Sequence, residues 1–208
     1  MVFETVVVGA LGVNCSILGC EETKQAVVID PGDEVERLLA VLKRYDLTVQ
    51  AILNTHGHFD HVGGNLHLTR SSGAPLYIHP ADAPMLSRVA QVAAMYGLPG
   101  ENSPPPDHQL EDGMLLTFGT IRLQVIHTPG HTPGGCCFYL ERDAKLIAGD
   151  TLFADGVGRT DLPGGSHTQL VQSIKTRLFT LPDQVTVYPG HGPTTTIGHE
   201  KRHNPYLD

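Results

Sequence analysis

The chain has 208 residues, of which 40% are hydrophobic and 17% are charged, and its formal net charge is -8. This composition is typical of a soluble globular protein, and the length predicts one domain over residues 1–208. The negative charge argues against nucleic acid or an anionic membrane as a partner, because both are bound through a basic face. No apolar run approaches the roughly 18 residues of a membrane span.

The first residues, MVFETVVV, are apolar but contain no basic residue and carry Glu4, which is unlike a signal peptide. We therefore expect a first β-strand here and a cytoplasmic protein. The four cysteines include an adjacent pair and no CxxC motif; they are Cys15, Cys20, Cys136 and Cys137. Reduced, partly buried thiols are the expectation, as is usual in the cytosol.

Short apolar or β-branched runs, each bounded by Gly, Pro, Asn or Asp, predict β-strands along the whole chain. In chain order they lie at 2–8, 15–18, 26–30, 50–54, 76–78, 114–118, 121–126, 136–140, 145–148 and 185–188. Gly119-Thr120 separates two of them and predicts a hairpin turn. Strand runs in both halves, with helices between them, favour a layered α/β domain.

Three segments have helical spacing of apolar residues. The first runs from Val35 to Tyr45, and the last runs from Leu170 to Leu178 with Ser166 as a candidate N-cap. The middle segment lies between Pro84 and Pro99 and contains Met85, Val89, Val92, Met95 and Tyr96. We expect its methionines in the core, with a lid as the alternative.

The run His56-Gly57-His58-Phe59-Asp60-His61 directly follows a predicted strand. Three imidazoles and a carboxylate within six residues cannot all point one way on a strand or a helix. On a tight turn they can surround a small volume. Neutral imidazole and carboxylate are ligands that zinc, iron and manganese bind well, so the motif predicts a metal site.

Further ligand-type side chains follow later predicted strands, each close to a glycine: His131, Asp150 and His191. Together with the first motif they provide enough ligands for two metals about 3.5–4 Å apart that share one carboxylate. Asp150 is the natural bridge, because a carboxylate has two oxygens. We expect two divalent ions, with zinc favoured and iron or manganese as alternatives.

The motifs THxHxDH at 55–61, PGHT at 129–132, GD at 149–150 and PGHG at 189–192 resemble, in this order, those of the metallo-β-lactamase-fold hydrolases. Within that family, residues 149–165 and the HNPYL at 203–207 are most similar to short bacterial glyoxalase II-type (hydroxyacylglutathione hydrolase-like) proteins without a C-terminal helical domain. The resemblance implies an αββα sandwich, in which helices flank two mixed sheets and the metal site lies at one edge.

The resemblance also implies a role for each candidate ligand. The first metal would be held by His56, His58 and His131, the second by Asp60, His61 and His191, with Asp150 as the bridge. A metal-bridging hydroxide would then attack a thioester, with S-lactoylglutathione as the expected substrate and lactate and glutathione as products. Asp60 and Asp150 are accordingly the expected catalytic residues, and Asp60 also orients the nucleophile.

A glutathione-derived thioester carries carboxylates that need cationic partners. The candidates are Arg159, Lys201 and Arg202. For Arg159 the alternative is an ion pair with Asp161 that holds its own loop. For Lys201 and Arg202 the alternative is that they are ordinary exposed surface residues. The sequence does not indicate an oligomeric state.

Several other functions remain open. A persulfide dioxygenase of the same fold would use one iron, held by His56, His131 and Asp150. A hydrolase of β-lactams, lactones or another small thioester is a second alternative, although Asp150 argues against most β-lactamases of this fold, which usually have Cys at that position. A phosphodiesterase or nuclease is disfavoured by the negative charge. A non-enzymatic metal-binding or redox module is disfavoured because open two-metal sites usually do chemistry.

Overall fold

Two six-stranded sheets form the centre of the computed structural model, which describes residues 1–207. In the first sheet the strands follow one another in chain order. They are β1 (Val2–Val8), β2 (Val13–Gly19), β3 (Gln25–Ile29), β4 (Thr48–Leu53), β5 (Leu76–Ile78) and β6 (His108–Gln109). The pairs among β1 to β3 are antiparallel, whereas those from β3 to β6 are parallel. This is the first mixed sheet.

The second half of the chain supplies β7 (Leu115–Phe118), β8 (Ile121–His127), β9 (Cys136–Leu140), β10 (Lys145–Gly149), β11 (Leu152–Phe153), β12 (Gly156–Val157), β13 (Thr186–Pro189) and β14 (Thr195–Thr196). Strands β11 and β12 form a separate hairpin. The other six form a sheet in the order β14-β13-β10-β9-β8-β7, in which only β10 and β13 are parallel neighbours.

Helices lie on the outer faces of both sheets. They are α1 (Val35–Arg44), α2 (Phe59–Val62), α3 (Asn65–Ser72), α4 (Val89–Met95), α5 (His167–Ser173) and α6 (Ile197–His203). A 3₁₀ turn at Ala83–Arg88 precedes α4, and a π-helical turn at Ile174–Leu178 continues α5. The side chain of Ser166 accepts a hydrogen bond from the backbone N–H of Gln169, so the predicted N-cap is confirmed.

Alternation along the strands explains the layers, because successive side chains point to opposite faces. Val27 and Ile29 of β3 pack between the sheets together with Phe138 of β9, while Val28 packs against the helices outside the first sheet. On the second sheet, Leu146 packs outward against the layer that contains α5. Strands buried on both faces require cover on both sides, and the αββα arrangement predicted from the sequence is confirmed.

The predicted position of the methionines in the core is wrong for Met95, which is 79% exposed, and the neighbouring Tyr96 is 50% exposed. The buried residues of α4 are Val89 and Ala93. At 100° per residue, Met95 points away from both of them. The preceding 3₁₀ turn has a shorter period than an α-helix, so Met85 does not continue the same stripe.

The four cysteines are free and buried, in agreement with the expected reduced thiols. Among residues 1–207, no helix combines the length and the apolar character that crossing a bilayer requires.

Candidate metal centre

The predicted ligands follow the carboxyl ends of strands in both sheets. The segment 56–61 comes after β4, and His131, Asp150 and His191 come after β8, β10 and β13. Strands β8, β10 and β13 run in the same direction, so their ends meet at one edge. A hydrogen bond from the N–H of Cys136 to the carbonyl of Thr55, 2.8 Å long, joins the two sheets beside this edge. The fold therefore brings distant segments together in one place.

The sheets approach each other closely here. Gly149 has a φ of 49°, and a Cβ at this position would collide with the side chain of Thr55. Only glycine combines this left-handed backbone with so little space. Its small size therefore allows Asp150, the next residue, to reach the ligands carried by the first sheet.

One group of ligand atoms consists of three imidazole nitrogens. Nε2 of His131 lies 3.2 Å from Nε2 of His56 and 2.8 Å from Nδ1 of His58. For zinc bound to nitrogen at about 2.0–2.1 Å, the edge of a ligand tetrahedron is about 3.3 Å. The spacing is therefore close to what one metal ion requires.

A second group contains two imidazoles and a carboxylate. Nε2 of His61 and Nε2 of His191 are 3.3 Å apart. Oδ2 of Asp60 lies 3.4 Å from Nε2 of His191 and 3.8 Å from Nε2 of His61. These three side chains can likewise surround one ion.

Asp150 lies between the two groups. Its Oδ2 is 3.5 Å from Nε2 of His131 in the first group and 3.7 Å from Nε2 of His191 in the second. Its Oδ1 is buried and has no hydrogen-bond partner among the described residues. Nε2 of His61 lies 3.4 Å from this Oδ1.

The hydrogen bonds on the far sides of the rings decide which nitrogens carry lone pairs. Nδ1 of His131 faces the carbonyl of Arg159 at 2.8 Å, and Nδ1 of His191 faces the carbonyl of Leu11 at 3.0 Å. A carbonyl can only accept, so both Nδ1 atoms carry a proton, and both Nε2 atoms point into the centre.

The same reasoning applies to the two most buried rings. Nδ1 of His61 donates to Oδ2 of Asp30 at 2.9 Å. The hydroxyl of Thr55 donates to Asp30 at 2.6 Å, so it accepts from Nδ1 of His56 at 3.0 Å. Four Nε2 atoms thus point at one another and at carboxylate oxygens, and this arrangement needs positive charge between them. Protons can supply part of it, because, against the effect of burial, Asp150 and Asp30 raise the pKa of His61 and Asp60 raises that of His191. Two divalent ions can take the place of these protons, and the donor set fits them.

Burial affects the protonation of the candidate ligands. It holds the pKa of His56 well below its ordinary value, and it lowers the pKa of His58 to about 4. Both rings are therefore neutral at pH 7, which is the form that binds metal. Burial opposes ionisation of Asp150, but the nearby His61 and His131 outweigh it and hold the pKa of this carboxyl well below its usual range.

Comparison with known proteins places this geometry in a family. The model of the metallo-beta-lactamase superfamily matches residues 8–191. This chain belongs to the metallo-beta-lactamase superfamily. Among its relatives is the hydroxyacylglutathione hydrolase GloC of Haemophilus influenzae, which is 38% identical over 100% of this chain and 99% of that protein. An uncharacterised protein of Aquifex aeolicus is 40% identical over 99% of this chain and 97% of that protein.

Similar solved structures have the same fold. BLEG-1, described as a B3 metallo-beta-lactamase, is 40% identical with a TM-score of 0.92, covering 99% of both chains. TTHA1623 in a di-iron-bound form is 44% identical with a TM-score of 0.90, covering 98% of this chain and 100% of that one. ETHE1 from Myxococcus xanthus is 32% identical with a TM-score of 0.82, covering 99% of this chain and 84% of that one.

Of the predicted substrate contacts, only Arg159 lies beside the centre. Its carbonyl binds His131, while its guanidinium makes a bidentate ion pair with Asp161, both bonds 2.8 Å long. The guanidinium is 55% exposed.

The structure does not bring Lys201 and Arg202 to the centre. Both bind Asp183, at 2.8 Å and 3.1 Å. Asp183 precedes β13, whereas His191 follows the opposite end of that strand. The expectation that this basic pair contacts substrate at the metal centre is therefore corrected to an exposed ion-pair cluster.

Two buried carboxylates that support the centre were not predicted. Asp30 accepts hydrogen bonds from Thr55 and from the ring of His61. Asp82 accepts hydrogen bonds from the backbone N–H groups of Gly57 at 2.9 Å and Gly134 at 2.6 Å. Asp30 is the last residue of the predicted strand at 26–30, a position similar to that of Asp150 just after another predicted strand. Asp82 follows no such pattern, and its contacts depend on the tertiary fold.

Proposed function

We propose that this member of the superfamily is a binuclear metal-dependent hydrolase that cleaves a small-molecule thioester, with S-lactoylglutathione as the first substrate to test. In this proposal His56, His58 and His131 hold one metal, and Asp60, His61 and His191 hold the other. Asp150 bridges the two ions. The resemblance to GloC supports the choice of substrate.

The position of Asp150 carries the proposal. One of its oxygens is within 3.7 Å of a nitrogen from each ligand group, and the other is buried without a hydrogen-bond partner among residues 1–207. A buried, ionised carboxylate with an unsatisfied oxygen is costly unless a cation or a donor compensates it. Two ions sharing this carboxylate would remove that cost.

When bound, two divalent ions supply hydroxide at neutral pH and stabilise negative charge on a carbonyl oxygen. The chain supplies the rigid frame for this chemistry. Asp30 and the carbonyls of Leu11 and Arg159 fix the rings of His61, His191 and His131 by hydrogen bonds. In this proposal Asp60, only 15% exposed at the side chain, also orients the nucleophile. A thiolate leaves without a dedicated general acid.

Arg159 is the proposed contact for a carboxylate of the thiol portion. Its backbone carbonyl binds His131 of the first ligand group, its guanidinium is exposed, and guanidinium forms strong paired bonds with carboxylates. The ion pair with Asp161 keeps the guanidinium ordered, and a substrate carboxylate can use its remaining N–H groups. The free, buried cysteines support a reducing, cytoplasmic location.

The test is metal content together with steady-state kinetics of the metal-loaded protein. We expect two metal ions per chain and a kcat/KM for S-lactoylglutathione above about 10⁴ M⁻¹s⁻¹, which is in the ordinary range for enzymes. A β-lactam substrate should be included because of the likeness to BLEG-1. Two bound metals with a much lower kcat/KM would contradict the substrate and leave the metal assignment intact.

The similarity to ETHE1 favours one alternative, a mononuclear-iron persulfide dioxygenase. This alternative needs only His56, His131 and Asp150 as ligands. It predicts one iron per chain and oxygen consumption with glutathione persulfide. The thioesterase proposal predicts no oxygen consumption, so an oxygen electrode distinguishes the two.

A further inference from the structure

A cleft of 510 Å³ opens beside Asp60. It is bordered by the β1–β2 turn, the start of α1, and α2, together with α4 and the segment that follows it. Its volume is within the range of small-molecule sites, roughly 300–1,000 Å³. Apolar side chains line much of it, among them Val8, Val13, Phe59, Val89 and Leu98.

The cleft is continuous with the metal centre through Asp60 and Leu11, which both line it. Oδ2 of Asp60 is 3.4 Å from Nε2 of His191, and the carbonyl of Leu11 binds Nδ1 of the same ring. The side chains of Asp60 and His191 are 15% and 28% exposed, whereas that of His61 is fully buried. The part of the second ligand group that adjoins the cleft, Asp60, is therefore partly accessible to solvent.

The border of the cleft is negatively charged. Asp33, Glu34, Glu36 and Glu101 are exposed along it, and no Lys or Arg of residues 1–207 lines it. The neighbouring Arg37 is held by Glu34 and by the carbonyl of Val7, both at 2.8 Å. A ligand with its own carboxylate would be repelled here, and repulsion of the wrong ligand is an effective source of specificity.

A thioester has two arms that leave the scissile bond in different directions. Arg159 lies beside the first ligand group and is the proposed contact for the charged thiol arm, whereas the cleft adjoins the second group. We infer that the cleft binds the acyl arm and selects an uncharged, apolar acyl chain longer than lactoyl. This inference rests on the thioesterase function proposed above.

The test compares three S-acylglutathiones on the metal-loaded protein: acetyl, pentanoyl and glutaryl. The pentanoyl and glutaryl chains are alike in length and differ in a terminal carboxylate. Each buried methylene is worth about 0.8 kcal/mol, or roughly a factor of four. We therefore expect kcat/KM for pentanoyl to exceed kcat/KM for acetyl by about tenfold or more. It should exceed kcat/KM for glutaryl by a similar factor.

Variants of the border and the lining assign the effect to the cleft. Glu36→Lys combined with Glu101→Lys should raise the ratio of kcat/KM for glutaryl to that for acetyl at least fivefold. Leu98→Gln should lower the ratio of kcat/KM for pentanoyl to that for acetyl. Matched controls are Glu22→Lys in the β2–β3 turn and Leu115→Gln on β7, which are exposed and do not line the cleft.

Direct binding provides a readout that does not depend on turnover. S-pentylglutathione should bind the metal-loaded protein more tightly than S-methylglutathione in calorimetry, and Leu98→Gln should remove the difference. Equal kcat/KM for acetyl and pentanoyl, or for pentanoyl and glutaryl, would overturn the inference while leaving the thioesterase function standing. Absence of hydrolysis of every S-acylglutathione by protein with two metals would contradict the proposed function and the inference with it.

Discussion

Nδ1 of His61 donates a hydrogen bond of 2.9 Å to Oδ2 of Asp30, and both side chains are buried. The same carboxylate accepts from the N–H and the hydroxyl of Thr55, at 2.7 Å and 2.6 Å. One side chain at the end of β3 thus positions His61 directly and His56 through Thr55. Because it touches neither substrate nor metal ligand atoms, Asp30 acts through the residues that it positions.

Replacing Asp30 tests this arrangement. Asp30→Asn removes the negative charge that fixes the His61 ring, and we expect metal affinity and kcat/KM to fall by about 10- to 100-fold. Metal content after dialysis against a weak chelator measures the first effect. Asp46→Asn, an exposed position that also has a left-handed backbone, is the matched control. Unchanged metal retention in Asp30→Asn would show that the hydrogen bond has no role in binding.

Replacing Asp150 tests the bridging assignment. Asp150→Ala should remove both metals and lower kcat/KM by at least about a thousandfold, because each ligand group loses its shared carboxylate. Elemental analysis and kinetics on the same sample provide the measurement. The exposed Asp143→Ala serves as the control. An Asp150→Ala protein that keeps two metals and normal turnover would rule out the bridge.

The C-terminal helix supports the centre indirectly. Glu200 is buried and accepts from the hydroxyl of Thr195 at 2.5 Å, from the amide of Asn204 at 2.7 Å and from the N–H of Asp155 in the β11–β12 hairpin at 3.1 Å. That hairpin continues to the Arg159 carbonyl that binds His131. We expect Glu200→Ala to lower the free energy of unfolding by about 1–3 kcal/mol, since buried donors lose their partner.

Thermal and denaturant unfolding of Glu200→Ala, with the exposed Glu141→Ala as control, measure this effect. Because the hairpin also leads to His131, kcat/KM measured well below the melting temperature should fall several-fold. Normal stability in Glu200→Ala would show that solvent replaces the carboxylate at no cost, and the supporting role would then be abandoned.

His79 gives the protein a pH dependence that is separate from the metal ligands. Its ring stacks on His127 with centroids 4.2 Å apart, and burial together with this neighbour lowers the pKa of His79. The unfolded chain therefore binds a proton more readily than the folded protein does. The free energy of unfolding should fall as the pH decreases through about 6.5, the ordinary pKa of histidine.

His79→Asn should make this loss of stability between pH 7.5 and 5.5 smaller. The asparagine side chain can still accept the N–H of Ala81, which Nδ1 of His79 accepts at 3.3 Å. Denaturant titrations at the two pH values measure the change in the free energy of unfolding, and the exposed His167→Asn serves for comparison. The same change in His79→Asn as in the unchanged protein would contradict the role assigned to His79.

Much of the fold could be predicted because its strands are short, apolar and sharply bounded. The runs at 76–78 and 136–140 coincide with β5 and β9, and Gly119-Thr120 is the turn between β7 and β8. The two-residue strands β6, β11, β12 and β14 are too short for a period to appear. Helix α3 was not predicted either, since its sequence NLHLTRSS has little apolar periodicity.

The candidate site could be predicted as far as its residues follow strands. The seven proposed ligands do so, and the structure gathers them at one edge. Asp82 was beyond sequence reasoning because its partners, Gly57 and Gly134, come close only when the sheets have packed. The orientation of α6 decides the partners of Lys201 and Arg202, and spacing along the chain contains no information about it.

Each ligand group takes side chains from both sheets, and His56 and His131 are 75 residues apart in the chain. An ion bound between them is therefore a cross-link between the two halves of the molecule. Ligands that bind only the native state raise its stability by mass action, so we expect metal supply to affect the lifetime of this protein as well as its activity. In a metal-starved cell, we expect the chain to be lost to proteolysis and not to accumulate as an inactive reserve.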